Sequence, residues 1–319
     1  MRRSRSRARE SITIPEPLRG ATVLVTGGAG FVGSHIAQAL ADDCTVRVID
    51  DLSAGSRERV PDGVTYIEGD LRDTGALVPA ADGVDYVFHQ AGLSSVPESV
   101  RRPLDSHGRN VEATLDVLEA ARENDARLVF ASSAAVYGDP ETVPTAEDEP
   151  TEPTSPYGVD KLAADHYTRL YHDRYGVETV ALRYFNVYGP GQNAGVIDAF
   201  LDAARAGDPI TVEGDGEQTR DFVHVDDVVR ANLAAATTDD VGRAYNVGTG
   251  ERTRIDDLAA LVRELTDADV EIRHTDARSG DIQHSCADIS RARGLLGFSP
   301  QVTLENGLDR LSNVGVATR

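Results

Sequence analysis

The stretch TVLVTGGAGFVG at residues 22–33 constrains the fold of this chain more than any other feature. It reads as a buried strand, Thr22–Thr26, that turns through Gly27, Gly30 and Gly33 into a helix entered at Phe31 and Val32. Such a turn lets backbone N–H groups at a helix N-terminus approach a pyrophosphate. A glycine pattern alone is weak evidence, since ordinary strand–helix turns use glycine too. Here the context supplies the rest. The next strand-like run, Thr45–Asp50, ends in Asp50 and Asp51, about twenty residues beyond the glycines, where a carboxylate can hold an adenosine ribose. Asp50 would repel a 2′-phosphate and no arginine adjoins Asp51 in sequence, which favours NAD over NADP. A merely solvated acidic turn would leave that spacing unexplained.

Further apolar runs follow at Val64–Glu68, Asp85–His89, Arg127–Ala131 and Thr179–Tyr184, with helical stretches between them. That alternation predicts an α/β fold of Rossmann type, a doubly wound parallel sheet with helices on both faces. After about Gly189 the strands shorten (Ile210–Val212, Phe222–Val223, Ala244–Val247, Val270–Arg273) and mix with helices at Val225–Ala236 and Ile255–Leu265. The expected organisation is a disordered tail over 1–19, a dinucleotide-binding domain over 20–189 and a smaller C-terminal α/β substrate lobe over 190–319. Parts of the later chain are allowed to return to the first domain. The tail carries RRSRSRAR, but no apolar stretch follows it, which argues against an export signal.

The formal net charge of −21 excludes nucleic acid as a main partner, since binding it needs a basic surface. No apolar run approaches the ~20 residues of a membrane span. Cys44 and Cys286 stand far apart, so a reduced cytoplasmic protein is expected. The eight histidines make no metal-ligand spacing, and Asp226 and Asp227 beside His224 read as a helix cap, so no metal is expected. Of the 32 basic residues only Lys161 is lysine. An acidic surface stripped of lysine suits a halophile, whose salt-rich cytoplasm shortens repulsion to a few ångströms.

The single lysine falls in Tyr157-x-x-x-Lys161, within SPYGVDKLAADHY. Spacing of i, i+4 on a helix puts both side chains on one face. A phenol titrates near ~10 and is a poor base at neutral pH, and a neighbouring ammonium favours the phenolate. An arginine does not replace a compact cation there, which explains why this one lysine persists.

TGGAGFVG, VIDDLS, GDL, HQAG, SSAAVYG, YGVDK, RYFNVYGP and RDFVHVDDV occur in the order seen in extended short-chain dehydrogenases. Over roughly residues 20–311 the chain resembles the NAD-dependent epimerase/dehydratase family, and within it the UDP-hexose 4-epimerases. The resemblance implies NAD as cofactor, with Asp70 and Leu71 bordering the adenine, Gln90 lining the cleft and Asn110 supporting it. Phe185 would pack on the nicotinamide side. Leu52, Ser53, Gly55, Ala91, Gly92, Ser94 and Tyr184 complete the implied cofactor set. Ser94 is a departure, since many epimerases carry a lysine there near the cofactor phosphates. Ser133 would share the proton relay with Tyr157.

Related dehydratases carry an acidic pair before Val-Tyr-Gly and related decarboxylases a glutamate, and those acids drive elimination or decarboxylation. This chain has Ala134 and Ala135, which leaves epimerisation at C4 through a 4-keto sugar. The resemblance further implies Arg220 and Arg278 on the diphosphate of a UDP-sugar, joined by Asn186, with Asp281 on the uridine ribose. Val196 and Ser94 belong to the same implied substrate set. Ser285 falls at the gate beside the C2 substituent, where a small residue admits an N-acetylated sugar. Alternatives are a UDP-glucuronate 4-epimerase, another nucleotide-sugar epimerase, and a non-catalytic NAD-binding regulator. The last commonly lacks the Tyr–Lys pair kept here. Helices near Val111–Glu123 and Tyr157–Tyr175 resemble those that form a four-helix interface, which implies a homodimer.

Overall fold

The computed structural model describes residues 12–192, 194–277, 280 and 282–314. The first half runs β1 (Thr22–Thr26), α1 (Phe31–Leu40), β2 (Thr45–Asp50), β3 (Thr65–Glu68), α2 (Thr74–Ala81), β4 (Tyr86–His89), α3 (Val96–Arg101), α4 (Pro103–His107), α5 (Ala113–Glu123), β5 (Arg127–Ser133), α6 (Pro156–Tyr175) and β6 (Thr179–Tyr184). The second half continues with β7 (Asn186–Tyr188), α7 (Val196–Ala206), β8 (Ile210–Glu213), β9 (Thr219–Arg220), β10 (Phe222–His224), α8 (Val225–Thr237), β11 (Arg243–Val247), β12 (Thr253–Arg254), α9 (Ile255–Leu265), β13 (Ile272–Thr275), α10 (Ser290–Leu296) and α11 (Leu304–Val314).

Seven strands form one parallel sheet in the order β11-β6-β5-β4-β1-β2-β3. Both faces are covered, and the side-chain alternation of each strand shows why. Val23, Val25, Val48, Phe88, Val129, Val180 and Leu182 point to one core, with α1 and α8. Their neighbours Leu24, Ile49, Val87, Leu128, Phe130 and Ala181 point to the other, with α2, α5 and α6. A strand buried on both sides needs apolar residues at successive positions along its middle, as Val23–Val25, Val48–Ile49, Leu128–Phe130 and Val180–Leu182 supply.

A separate core gathers α7, α9 and α11 around Ile210, Val212 and Phe222, and forms the smaller lobe. The chain does not divide cleanly between the lobes at residue 190. β11 pairs with β6 in the main sheet, α8 packs on α1, and Ala292 and Phe298 join the first core. Residues 1–11 of the expected tail lie outside the described residues, and 12–19 belong to the fold. Ile14 and Leu18 are buried in the first core, because a 3-10 turn at Glu16–Leu18 lays them against it. Among the described residues no helix is long and apolar enough to cross a membrane.

Candidate active site

Strand order reverses between β1 and β4, and the groove at their carboxyl ends is where open α/β sheets bind ligands. Gly27 leaves β1 at φ +67°, and a Cβ there would stand 2.6 Å from the Ala91 nitrogen. Gly33 closes on the same loop from the helix side, where a Cβ would collide with the Gly27 oxygen. α1 starts after Gly30, and no side chain caps the amides of its first turn around Phe31 and Val32. Those donors suit an anion.

The buried Asp50 carboxylate accepts from the Ala29 and Leu52 amides at 3.0 and 2.8 Å. Burial pushes its pKa up, and the Leu52 and Ala29 hydrogen bonds oppose that rise. Leu52 takes φ +56°, uncommon for a residue with a side chain, and Gly55 packs against Ala29. Asp51 accepts from the Ser53 amide and hydroxyl. No arginine adjoins Asp51 in sequence, but the fold brings one beside it. Arg109, from the single π-turn Gly108–Glu112, reaches Asp51 at 3.0 Å and Ser53 Oγ at 2.7 Å. Sequence adjacency could not reveal a partner 58 residues away.

Asp70 and Leu71 follow β3 at the same end of the sheet. Arg72 hydrogen-bonds Asp70 and holds its carboxyl down at about 2. Gln90 and Tyr184 are joined, the phenol donating to Gln90 Oε1 at 3.1 Å, and Asn232 of α8 contacts both. Asn110 is buried in the π-turn and donates to the Leu93 oxygen, while its own Oδ1 finds no partner. That oxygen lies 2.5 Å from the position a Cβ on Gly92 would take. Ser94 is exposed on the loop beyond. An uncapped helix start, backbone segments in direct contact and an orphaned buried amide oxygen together fit a dinucleotide.

Ser155 caps α6 by accepting from the Gly158 amide, with Pro156 in its first turn, so Tyr157 and Lys161 sit early on one face. Lys161 is buried, donates from Nζ to the Ala131 oxygen at 2.8 Å and stands 4.9 Å from the Phe130 ring centre. Burial lowers it to about 8. Ser133, at the end of β5, hydrogen-bonds the Tyr157 phenol and also accepts from the Ala135 amide at 3.1 Å. Burial pushes the phenol up and the Ser133 hydrogen bond opposes it. The expected lowering of the phenol by Lys161 is therefore not what governs it here, because desolvation of a phenolate outweighs the other influences.

Support for this face comes from Asp165, one turn beyond Lys161, which sequence reasoning missed. It pairs with Arg183 of β6 at 3.0 Å and accepts from Ser132 at 2.9 Å, all three buried. Helix, β5 and β6 are thereby pinned together beside Ser133. The signal available in sequence was the continued i, i+4 spacing from Tyr157 through Lys161 to Asp165.

On the opposite side, β7 pairs with β10, leaving Asn186 exposed. Asn186 and Val196 line one small cavity with Tyr188, Gln192 and Phe222. Arg220 is buried and donates to the Thr219 oxygen. That oxygen also accepts from the Ser285 amide at 3.0 Å, so the two segments run together with Ser285 buried. Phe185 packs against Tyr137, ring centres 6.5 Å apart. Arg278 and Asp281 lie outside the described residues. Asp221, also missed from sequence, accepts from the Thr249, Gly250 and Ala287 amides and so holds the segment that carries Ser285. Its signal was its place next to Arg220 in RDF.

Among the described residues, no group of three or more His, Cys, Asp or Glu side chains could hold a metal ion. The expected cap at the start of α8 is His224 itself, which accepts from the Asp226 amide. Asp227 instead accepts from the Gln301 and Val302 amides.

Comparison with known proteins bears on the same residues. The model of the NAD dependent epimerase/dehydratase family matches residues 23–248. The UDP-glucose 4-epimerase of Mycolicibacterium smegmatis is 38% identical over 300 residues, which span 89% of this chain and 95% of that one. The solved UDP-N-acetylglucosamine 4-epimerase of Methanobrevibacter ruminantium, in complex with UDP-N-acetylmuramic acid, superposes with a TM-score of 0.91 at 38% identity. It covers 94% of this chain and all of that one. The UDP-glucose 4-epimerase of Thermus thermophilus, in complex with NAD, gives a TM-score of 0.86 at 36% identity over 93% of this chain and all of that one. A dinucleotide groove, a Tyr–Lys helix beside it and similarity of this extent lead to one conclusion: the chain belongs to the NAD dependent epimerase/dehydratase family.

Proposed function

We propose that this chain is an NAD-dependent 4-epimerase of UDP-hexoses. The observation that carries this reading is the 3-10 turn Ala134–Val136, which follows Ser133 directly. It offers only Ala134 and Ala135 where elimination or decarboxylation would need an acid. Asp50, Gln90, Asn110, Lys161 and the glycine-loop amides would hold the dinucleotide. Bound there, NAD would supply hydride-transfer chemistry at C4 of the sugar.

The protein's own work is proton transfer and orientation. Tyr157 takes the proton of the 4-hydroxyl, with Ser133 hydrogen-bonded to the phenol as its relay. Because no acid stands in the Ala134–Ala135 turn, re-reduction is the route left to the 4-keto sugar. Reduction on the opposite face inverts C4. Arg220 and Arg278 clamp the diphosphate, since a guanidinium fork suits phosphate oxygens, with Asn186 beside them and Asp281 on the ribose. Ser285 leaves space for an acetamido group, so UDP-N-acetylglucosamine is accepted alongside UDP-glucose. The enzyme acts as a homodimer in the cytoplasm.

The test is incubation with UDP-glucose, UDP-N-acetylglucosamine and UDP-glucuronate separately, following the C4 epimer of each. Turnover is expected with the first two, and Tyr157→Phe should lower it by about a hundredfold or more through loss of the base. Turnover of UDP-glucuronate alone would replace this reading with the glucuronate one. Near-normal turnover in Tyr157→Phe would refute the mechanism. Ser285→Tyr should remove the N-acetyl activity selectively.

A further inference from the structure

The turn after β2 is more crowded with charge than its sequence suggests. Asp50 faces the glycine loop through the Ala29 amide, and Asp51 and Ser53 follow within three residues. On the outer side of that turn lies Arg109. Its NH1 group donates to Asp51 at 3.0 Å and to Ser53 Oγ at 2.7 Å, and its Nε stands 3.2 Å from Asp105. One guanidinium is thus divided between two carboxylates and a hydroxyl. The neighbouring Arg72 is likewise committed, to Asp70.

We infer that Arg109 is a latent ligand for a 2′-phosphate, kept from that role by Asp51 and Asp105, and that this cluster reinforces Asp50 in selecting NAD over NADP. The inference rests on the NAD reading of the groove. Counting Asp50, Asp51 and Asp105 against Arg109, the rim carries a net charge of −2, from three carboxylates and one guanidinium, which repels a phosphate dianion. The arginine is held on the turn that begins at Asp50, beside the ribose that this residue would bind. Removing the Asp51 carboxylate lowers the repulsion and releases a guanidinium fork of the kind that binds phosphate. Part of the selectivity is then a property of an ion pair, and exchanging one acid shifts it.

The test is calorimetric titration of the full chain with NAD and with NADP, read as the ratio of the two Kd values. Asp51→Ser is expected to shift that ratio toward NADP by about tenfold, the value of one charge-assisted hydrogen bond. Adding Arg109→Ala to Asp51→Ser should return the ratio to the wild-type side. Asp51→Asn, nearly isosteric, should shift it in the same direction and guards against collapse of the turn. The shift should shrink in molar potassium chloride, as an exposed charge effect must. A ratio that Asp51→Ser and Asp51→Asn both leave unchanged overturns the inference. So does a shift that survives the loss of Arg109. Failure of the wild type to bind NAD at all would instead overturn the reading of the groove itself.

Discussion

His89 shows how one buried side chain couples the groove to stability. It is fully buried at the end of β4, with Nδ1 2.7 Å from the Thr26 hydroxyl and Nε2 2.9 Å from the Thr114 hydroxyl. The Thr114 proton is already given to the Asn110 oxygen, so Nε2 must carry the hydrogen and Nδ1 must accept from Thr26. That chain of hydroxyls runs from β1 beneath the Gly27–Ala91 contact to the π-turn that holds Asn110. Burial, with Lys161 nearby, lowers His89 to about 3. Between pH ~6.5 and that value the unfolded chain binds a proton that the folded chain does not, so stability falls as the pH drops, by about 1.4 kcal/mol per unit. Urea unfolding at pH 6.5 and 5 should therefore show a loss of about 2 kcal/mol from this residue. In His89→Gln the same interval should cost correspondingly less, and an equal acid slope in both proteins would contradict this account. His89 was legible in sequence only as the first residue of HQAG. Its tautomer follows from three partners that the chain brings from distant positions.

Among helices, the surface of α3, α4 and α6 stands apart. Seven of the nine large hydrophobic side chains exposed among the described residues lie there: Val96, Val100 and Leu104 on α3–α4, and Val159, Tyr167, Leu170 and Tyr175 on α6. Leu104 is 88% exposed. These helices pack on each other, so the side chains belong to one surface. An apolar face of this kind supports the proposed two-fold dimer, in which a second copy covers it. The sequence expectation paired Tyr157–Tyr175 with Val111–Glu123. The exposed apolar side chains beside α6 lie on α3–α4, whereas α5 has Val117 and Leu118 buried against the sheet. A helical period marks a stripe but cannot say whether a sheet or a partner covers it. Leu104→Glu should convert the dimer to monomer by light scattering in high salt, while the circular dichroism spectrum is retained. A monomeric wild type, or a dimer untouched by the change, would refute the interface.

For the protein as a unit, charge is the dominant variable. With −21 to disperse and one lysine, the fold should gain stability as salt screens its acidic surface. A rise in Tm of at least about 5 °C from dilute buffer to molar potassium chloride is expected, corresponding to a few kcal/mol. A flat Tm would contradict the halophilic reading. The parallel sheet, the glycine turn and the Tyr157–Lys161 face were readable from the chain, because each is set by neighbours within a few residues: strand alternation, backbone clearance at Gly27 and Gly33, helical spacing. Long-range meetings were not readable. The return of β11 to β6, the pairing of Asp165 with Arg183 and of Arg109 with Asp51, and the packing of α8 on α1 all join residues far apart along the chain. Local preference carries no information about which distant partner satisfies a buried charge or an unpaired strand edge. Only the packed fold, in which such groups must find partners once water is excluded, makes that choice.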